Sequence, residues 1–173
     1  MCYKQERDYK KVIFVLCVPG EDEEKAGHPA AGDTGIKLNQ ILVHLNSGKP
    51  EIFPYLDKSH YSITNSYDKP IYPNNNVKKR STPTRSQVLH NDNIQRFISD
   101  IKGYEYVILC GEEAKLLADY VQHSSCIKTI HFGNKGLRGK YPNNHHEMKA
   151  LSSGLERDQK RVALCAREII EHF

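Results

Sequence analysis

No apolar run in this chain approaches the roughly 20 residues that a membrane-spanning helix needs, which excludes a helical membrane protein. No Cys-x-x-Cys pair occurs among the cysteines Cys2, Cys17, Cys110, Cys126 and Cys165. Their odd number and scatter argue against a disulfide framework and a thiolate metal site, so free thiols are expected. The start, Met1 to Arg7, lacks the apolar middle of a secretory signal, and a cytoplasmic location is expected. No Gly-x-Gly-x-x-Gly turn follows the first apolar run, which weighs against a cofactor-binding domain of flavodoxin type. No internal repeat is visible. Neither sign of charge dominates: 25 Lys and Arg against 21 Asp and Glu is too even to establish nucleic-acid binding. The charges are unevenly spread, with Glu21 to Glu24 acidic and Lys78, Lys79, Arg80, Arg85, Lys135, Arg138 and Lys140 basic.

What is present is enough for one domain over residues 1–173. Val12 to Val18 is a continuous β-branched and aromatic run ended by Pro19-Gly20, which suits a strand buried on both faces. Leu38, Ile41, Leu42 and Leu45 then mark an amphipathic helix stopped by Asn46-Ser47-Gly48. A second short strand is expected around Tyr61 to Thr64. The Pro-, Asn- and Lys-rich stretch from there to Ser86 reads as a long surface loop. Ile94, Phe97, Ile98 and Ile101 predict a helix capped at Asn91-Asp92 and stopped at Gly103. Tyr106 to Gly111 predicts a strand leading into a helix through Tyr120, Cys126 to Phe132 a last strand, and Val162, Cys165, Ile169 and Phe173 a C-terminal helix. Alternating strands and helices imply an α/β fold, a three-layer α/β/α sandwich around a mainly parallel sheet of about four strands. Ligands bind such sheets beyond the carboxyl ends of the strands. The suspects are therefore Pro19 to Gly35, Asn65, Gly111-Glu112-Glu113, and His131 to Arg138.

Four collinear stretches at those ends resemble the uracil-DNA glycosylase superfamily. Phe14 to Glu23, continued by Gly27 to Gly35, is similar to its first motif and extension. Tyr61 to Asn65 resembles the strand ending in the base-reading asparagine, and Val107 to Glu113 the strand before the last motif. Ile130 to Arg138 resembles the second motif, His-Pro-Ser followed by a loop that enters the minor groove. The resemblance implies a monofunctional DNA glycosylase acting as a monomer on double- or single-stranded DNA. It has departures: Cys17 and Val18 stand where the first motif carries its water-activating carboxylate, and Ala30 where an aromatic stacks on uracil. One branch carries the carboxylate downstream in a turn similar to Ala31-Gly32-Asp33-Thr34-Gly35. Tyr67 to Pro70 lacks the cysteine that holds an iron–sulfur cluster in some relatives, so no cofactor is expected.

Glycosidic cleavage needs a carboxylate near the anomeric carbon and a donor near the base oxygen. The resemblance makes Asp33 the leading carboxylate, with capping of the following helix as its alternative role and Glu23 as second choice. His131 is the expected donor, Asn65 the base reader, and Pro19, Gly20 and Ala30 the wall of the base pocket. Gly133 and Gly136 beside Lys135 leave room for a phosphate. Leu137 with Arg138 is the wedge, its alternative a leucine covering the core. Lys78, Lys79, Arg80, Asn134 and Lys135 are the expected DNA contacts. Asn143 to Glu147, with adjacent His145 and His146, reads as a solvated loop and not a metal site. An alanine at position 30 favours a bulky modified pyrimidine, such as a hypermodified cytosine of phage DNA in antiviral defence. Uracil repair is the alternative, and a non-catalytic modified-base or nucleotide binder the competing class.

Overall fold

Val12, Phe14 and Leu16 enter one apolar core and Ile13 and Val15 a second, so the first apolar run is a strand covered on both faces. The computed structural model describes residues 1–173. Its five strands are β1 (Lys4–Gln5), β2 (Val12–Leu16), β3 (Ser62–Asn65), β4 (Tyr106–Cys110) and β5 (Ser125–Thr129). They form one sheet in the order β1-β3-β2-β4-β5. Strands β2 to β5 pair in parallel and β1 runs antiparallel to β3. The sheet thus has five strands where about four are expected. The extra one is two polar residues without apolar periodicity, held at the edge by Gln5, whose side-chain amide donates to the carbonyls of Lys58 and Tyr61.

The helices are α1 (Glu21–Ala26), α2 (Asp33–Gly48), α3 (Arg85–Val88), α4 (Asn91–Ile101), α5 (Glu112–Lys115), α6 (Asn134–Lys140) and α7 (Gly154–Ile170). Leu38, Ile41, Leu42 and Leu45 of α2 meet Val162, Cys165 and Ile169 of α7 in the first core. Ile94, Phe97 and Ile101 of α4 fill the second with Val88, Ala114 and Leu117. Helices therefore cover both faces of a mixed, mostly parallel sheet. The helix expected through Tyr120 is instead the short α5 and a 3₁₀ turn at Ala118–Tyr120. Ala114 and Leu117, three apart and both buried, suit that tighter winding. No helix is long and apolar enough to cross a membrane.

The chain leaves β2 for β3 on one side and returns to β4 on the other. This reversal opens a crevice between the carboxyl ends of β2 and β4, the place where doubly wound sheets hold ligands.

Candidate active-site cleft

A cleft of about 630 Å³ lies there. Cys17 and Val18 line it from β2, Gly111, Glu112 and Glu113 from β4, and Ile130 and His131 from β5. Lys135, Gly136 and Lys140 of α6 close one side, and Ser81 and Thr82 of the long loop the other.

His131 is its best-seated group. Nδ1 accepts the Gly133 N–H at 3.0 Å, so the neutral ring carries its proton on Nε2. Burial pushes its pKa below the ordinary histidine value, against the opposing charges of Glu113, Glu23 and Asp33. At neutral pH the ring is an uncharged Nε2–H donor. Two glycines make its seat: Gly111 has φ +98°, and a Cβ on Gly136 would collide with the His131 carbonyl oxygen. A Cβ on Gly133 would also come within 3.0 Å of the His131 ring, so Gly133 and Gly136 give space to His131 itself, where the sequence suggests a phosphate.

The carboxylates are distributed differently from the sequence-based expectation. Glu23 is a loop clamp, its Oε2 accepting the Gly20 N–H at 2.9 Å and its Oε1 the N–H groups of Ala31 and Gly32 at 3.1 and 3.3 Å. Asp33 is exposed and caps a neighbouring helix instead of its own. Its Oδ2 accepts Nδ2 of Asn134 at 2.8 Å and the first N–H of α6 at 3.4 Å. Glu112 pairs with Lys115 at 2.7 Å. Glu113, half-buried, has no ion-pair partner and lines the cleft together with Cys17, 5% exposed. Burial, then the charge of Glu113 and a hydrogen bond to it, push that thiol well above its usual range. Glu113 is a strand-end residue in the sequence too, but the resemblance places the carboxylate after the first strand, so no local signal singles it out.

Four other expectations need correction. Ala30, 1% exposed with φ +53°, sits in the core and does not line the cleft. Asn65, 2% exposed, donates from Nδ2 to the Tyr3 carbonyl at 3.1 Å, tied to the segment before β1. Pro19 and Gly20 are likewise outside the cleft, Pro19 buried with its carbonyl accepting Ile71 N–H and Gly20 starting α1. Leu137, 2% exposed, is in the core on α6, so the core-covering role holds in place of a wedge.

Cations rim the mouth. Lys135 has no ion pair, Lys140 reaches Glu168 at 3.7 Å, and Arg138 faces away to Asp158 at 3.2 Å. Lys78, Lys79 and Arg80 are exposed and unpaired on the loop that delivers Ser81 and Thr82. Asn76 pins that turn: its Nδ2 donates to the carbonyls of Tyr72 and Arg80 at 2.7 and 2.9 Å, and its Oδ1 accepts Arg80 N–H at 2.9 Å. No protein-family model matches the chain, and no curated protein matches it.

Proposed function

We propose that this protein is a DNA glycosylase, a three-layer α/β/α sandwich that acts as a cytoplasmic monomer on a flipped pyrimidine nucleotide. One observation carries the proposal: a neutral Nε2–H donor, fixed by Gly133 and held at the strand-order reversal in a cleft rimmed with lysines. In hydrolysis the C1′–N bond breaks with its electron pair leaving on the base. Water oxygen bonds to C1′, and a carboxylate takes the water proton. A neutral donor at the base carbonyl oxygen gains strength as that oxygen becomes anionic, which is the differential stabilisation catalysis requires. The preference for a bulky base loses the support of Ala30, which lies in the core, and keeps that of the missing carboxylate at Cys17 and Val18. The cleft volume of about 630 Å³ still has room for a substituted ring, so modified cytosines stand beside uracil as substrates.

A second reading, a binder without hydrolysis, is favoured by Cys17 and Val18 at the end of β2 and by Asp33 being tied to Asn134. Oligonucleotides carrying uracil, cytosine or glucosylated hydroxymethylcytosine, digested in single- and double-stranded form and then treated with alkali, separate the two. Strand cleavage at one base type is expected. Tight binding of these DNAs with no alkali-labile site from any of them would replace the glycosylase by the binder.

A further inference from the structure

We propose that Glu113 is the catalytic carboxylate that orients the attacking water and takes its proton, supplied from β4 in place of the strand-end position that Cys17 and Val18 leave uncharged. This rests on the glycosylase reading and adds to it which residue does the acid–base work. The register brings the two strand ends together: Val15 pairs with Leu109, so Cys17 and Gly111 lie at matching positions on neighbouring parallel strands. Adjacent strands are about 4.8 Å apart. A glutamate two residues beyond Gly111 spans that distance, and Glu113 and Cys17 line the same cleft, where the carboxylate raises the thiol's pKa.

Elimination leads to the same residue. Two acids line the cleft, Glu112 and Glu113. The Glu112 side chain is 84% exposed and paired with Lys115, whereas Glu113 is half-buried and unpaired. Outside the lining, Glu23 holds three backbone donors and Asp33 holds Asn134. His131 is in the electrostatic reach of Glu113, so acid and donor share the cleft. In the step, the water O–H proton passes to the Glu113 carboxylate as the O–C1′ bond forms. The base departs as an anion hydrogen-bonded by His131 Nε2–H. Glu113 then loses its proton to solvent, and the base takes one from solvent.

The test is single-turnover excision from the DNA on which the wild type is most active, with DNA affinity measured in parallel. Glu113→Gln keeps size and acceptor, and its excision rate is expected to fall by ~10²–10⁴-fold with affinity within about threefold of wild type. Asp33→Asn is expected to stay within about tenfold of the wild-type rate, since its role is to hold α6. Should Glu113→Gln fail to fold, Glu113→Asp replaces it. That variant retracts the charge by one methylene and is expected to lose about tenfold or more. Wild-type rates from a folded variant of either kind overturn the assignment of Glu113 and leave the glycosylase standing. A wild type that releases no base from any DNA overturns both.

Discussion

A histidine whose Nδ1 accepts a hydrogen bond keeps a single nitrogen from which to donate. For His131 the Gly133 N–H makes that choice, and burial resists the second proton. Nitrogen NMR at neutral pH is therefore expected to show the Nε2–H tautomer, with titration below the ordinary histidine value of 6.5. An Nδ1–H ring would remove His131 as donor. The sign for stability follows: the folded pKa lies below the unfolded one, so as pH falls through 6.5 the unfolded chain binds a proton that the folded chain refuses. Stability from this group is complete above that value and declines below it. Ala30 gives a second prediction. Its methyl lies in the core at positive φ, beside α2, where the Ala30 carbonyl fills the place a Cβ on Gly35 would need. Ala30→Phe is expected to destabilise by about 1–3 kcal/mol or more through overpacking, without changing which base is preferred. A variant with wild-type melting temperature and altered base preference would restore Ala30 to the pocket wall. Residue identity alone conceals this, because a position in a motif does not say which way its side chain faces.

Elements with an apolar stripe were legible and elements without one were not. The residues that call for α2, α4 and α7 in the sequence, Leu38 to Leu45, Ile94 to Ile101 and Val162 to Ile169, are those the cores bury, except Ile98, which is 38% exposed. By contrast, α1 buries no side chain and is made by its ends, with Glu23 bonded to the Gly20 N–H and Gly27 left-handed at φ 74°. In α6 the glycines Gly136 and Gly139 are poor helix formers and Leu137 is the single buried side chain, so a loop is the natural sequence inference. The stretch between α6 and α7 is anchored by Tyr141 and Met148 in the first core and clipped by charge. Glu147 accepts from Lys160 at 2.6 Å and from Arg167 at 2.8 Å, both on α7. Those two bonds, Lys160 first, lower its pKa from the ordinary 4.5 to about 2. The depressed value means the clip contributes fully above pH 4.5 and is lost as pH falls toward about 2. Glu147→Gln is expected to make the melting temperature less dependent on pH across that window. An unchanged acid slope would show the clip to be energetically idle, as exposed pairs often are.

The topology of the whole chain, more than any motif, assembled the site. The βα alternation points to the strand ends as suspects, and the order reversal brings the ends of β2, β4 and β5 to one cleft, whereas Asn65 and Pro19 to Gly35 do not line it. Their assignment to roles depended on pairing between distant segments, Cys17 with Glu113 or Asp33 with Asn134, which no local pattern encodes. The parallel order is also that of flavodoxin-like sheets, so the fold by itself does not choose a ligand; the charge distribution narrows it. The net charge of +4 is small, but Lys78, Lys79, Arg80 and Lys135 have no acidic partners, and the loop that carries the first three also delivers Ser81 and Thr82 to the cleft lining. A polyanion laid across the mouth would displace counterions from these cations. Each neutralised phosphate contributes a slope of about 0.9 in log affinity against log salt for duplex DNA and about 0.7 for single strands. Replacing Lys78, Lys79 and Arg80 together by Gln should therefore flatten the slope by about 2 to 3 and weaken every DNA alike, whatever base it carries. The excision rate from saturated complexes should hardly change, because these side chains are outside the cleft lining. A slope equal to wild type, or a loss confined to one base type, would take the loop out of the DNA interface and leave Lys135 and Lys140 to carry the backbone contacts.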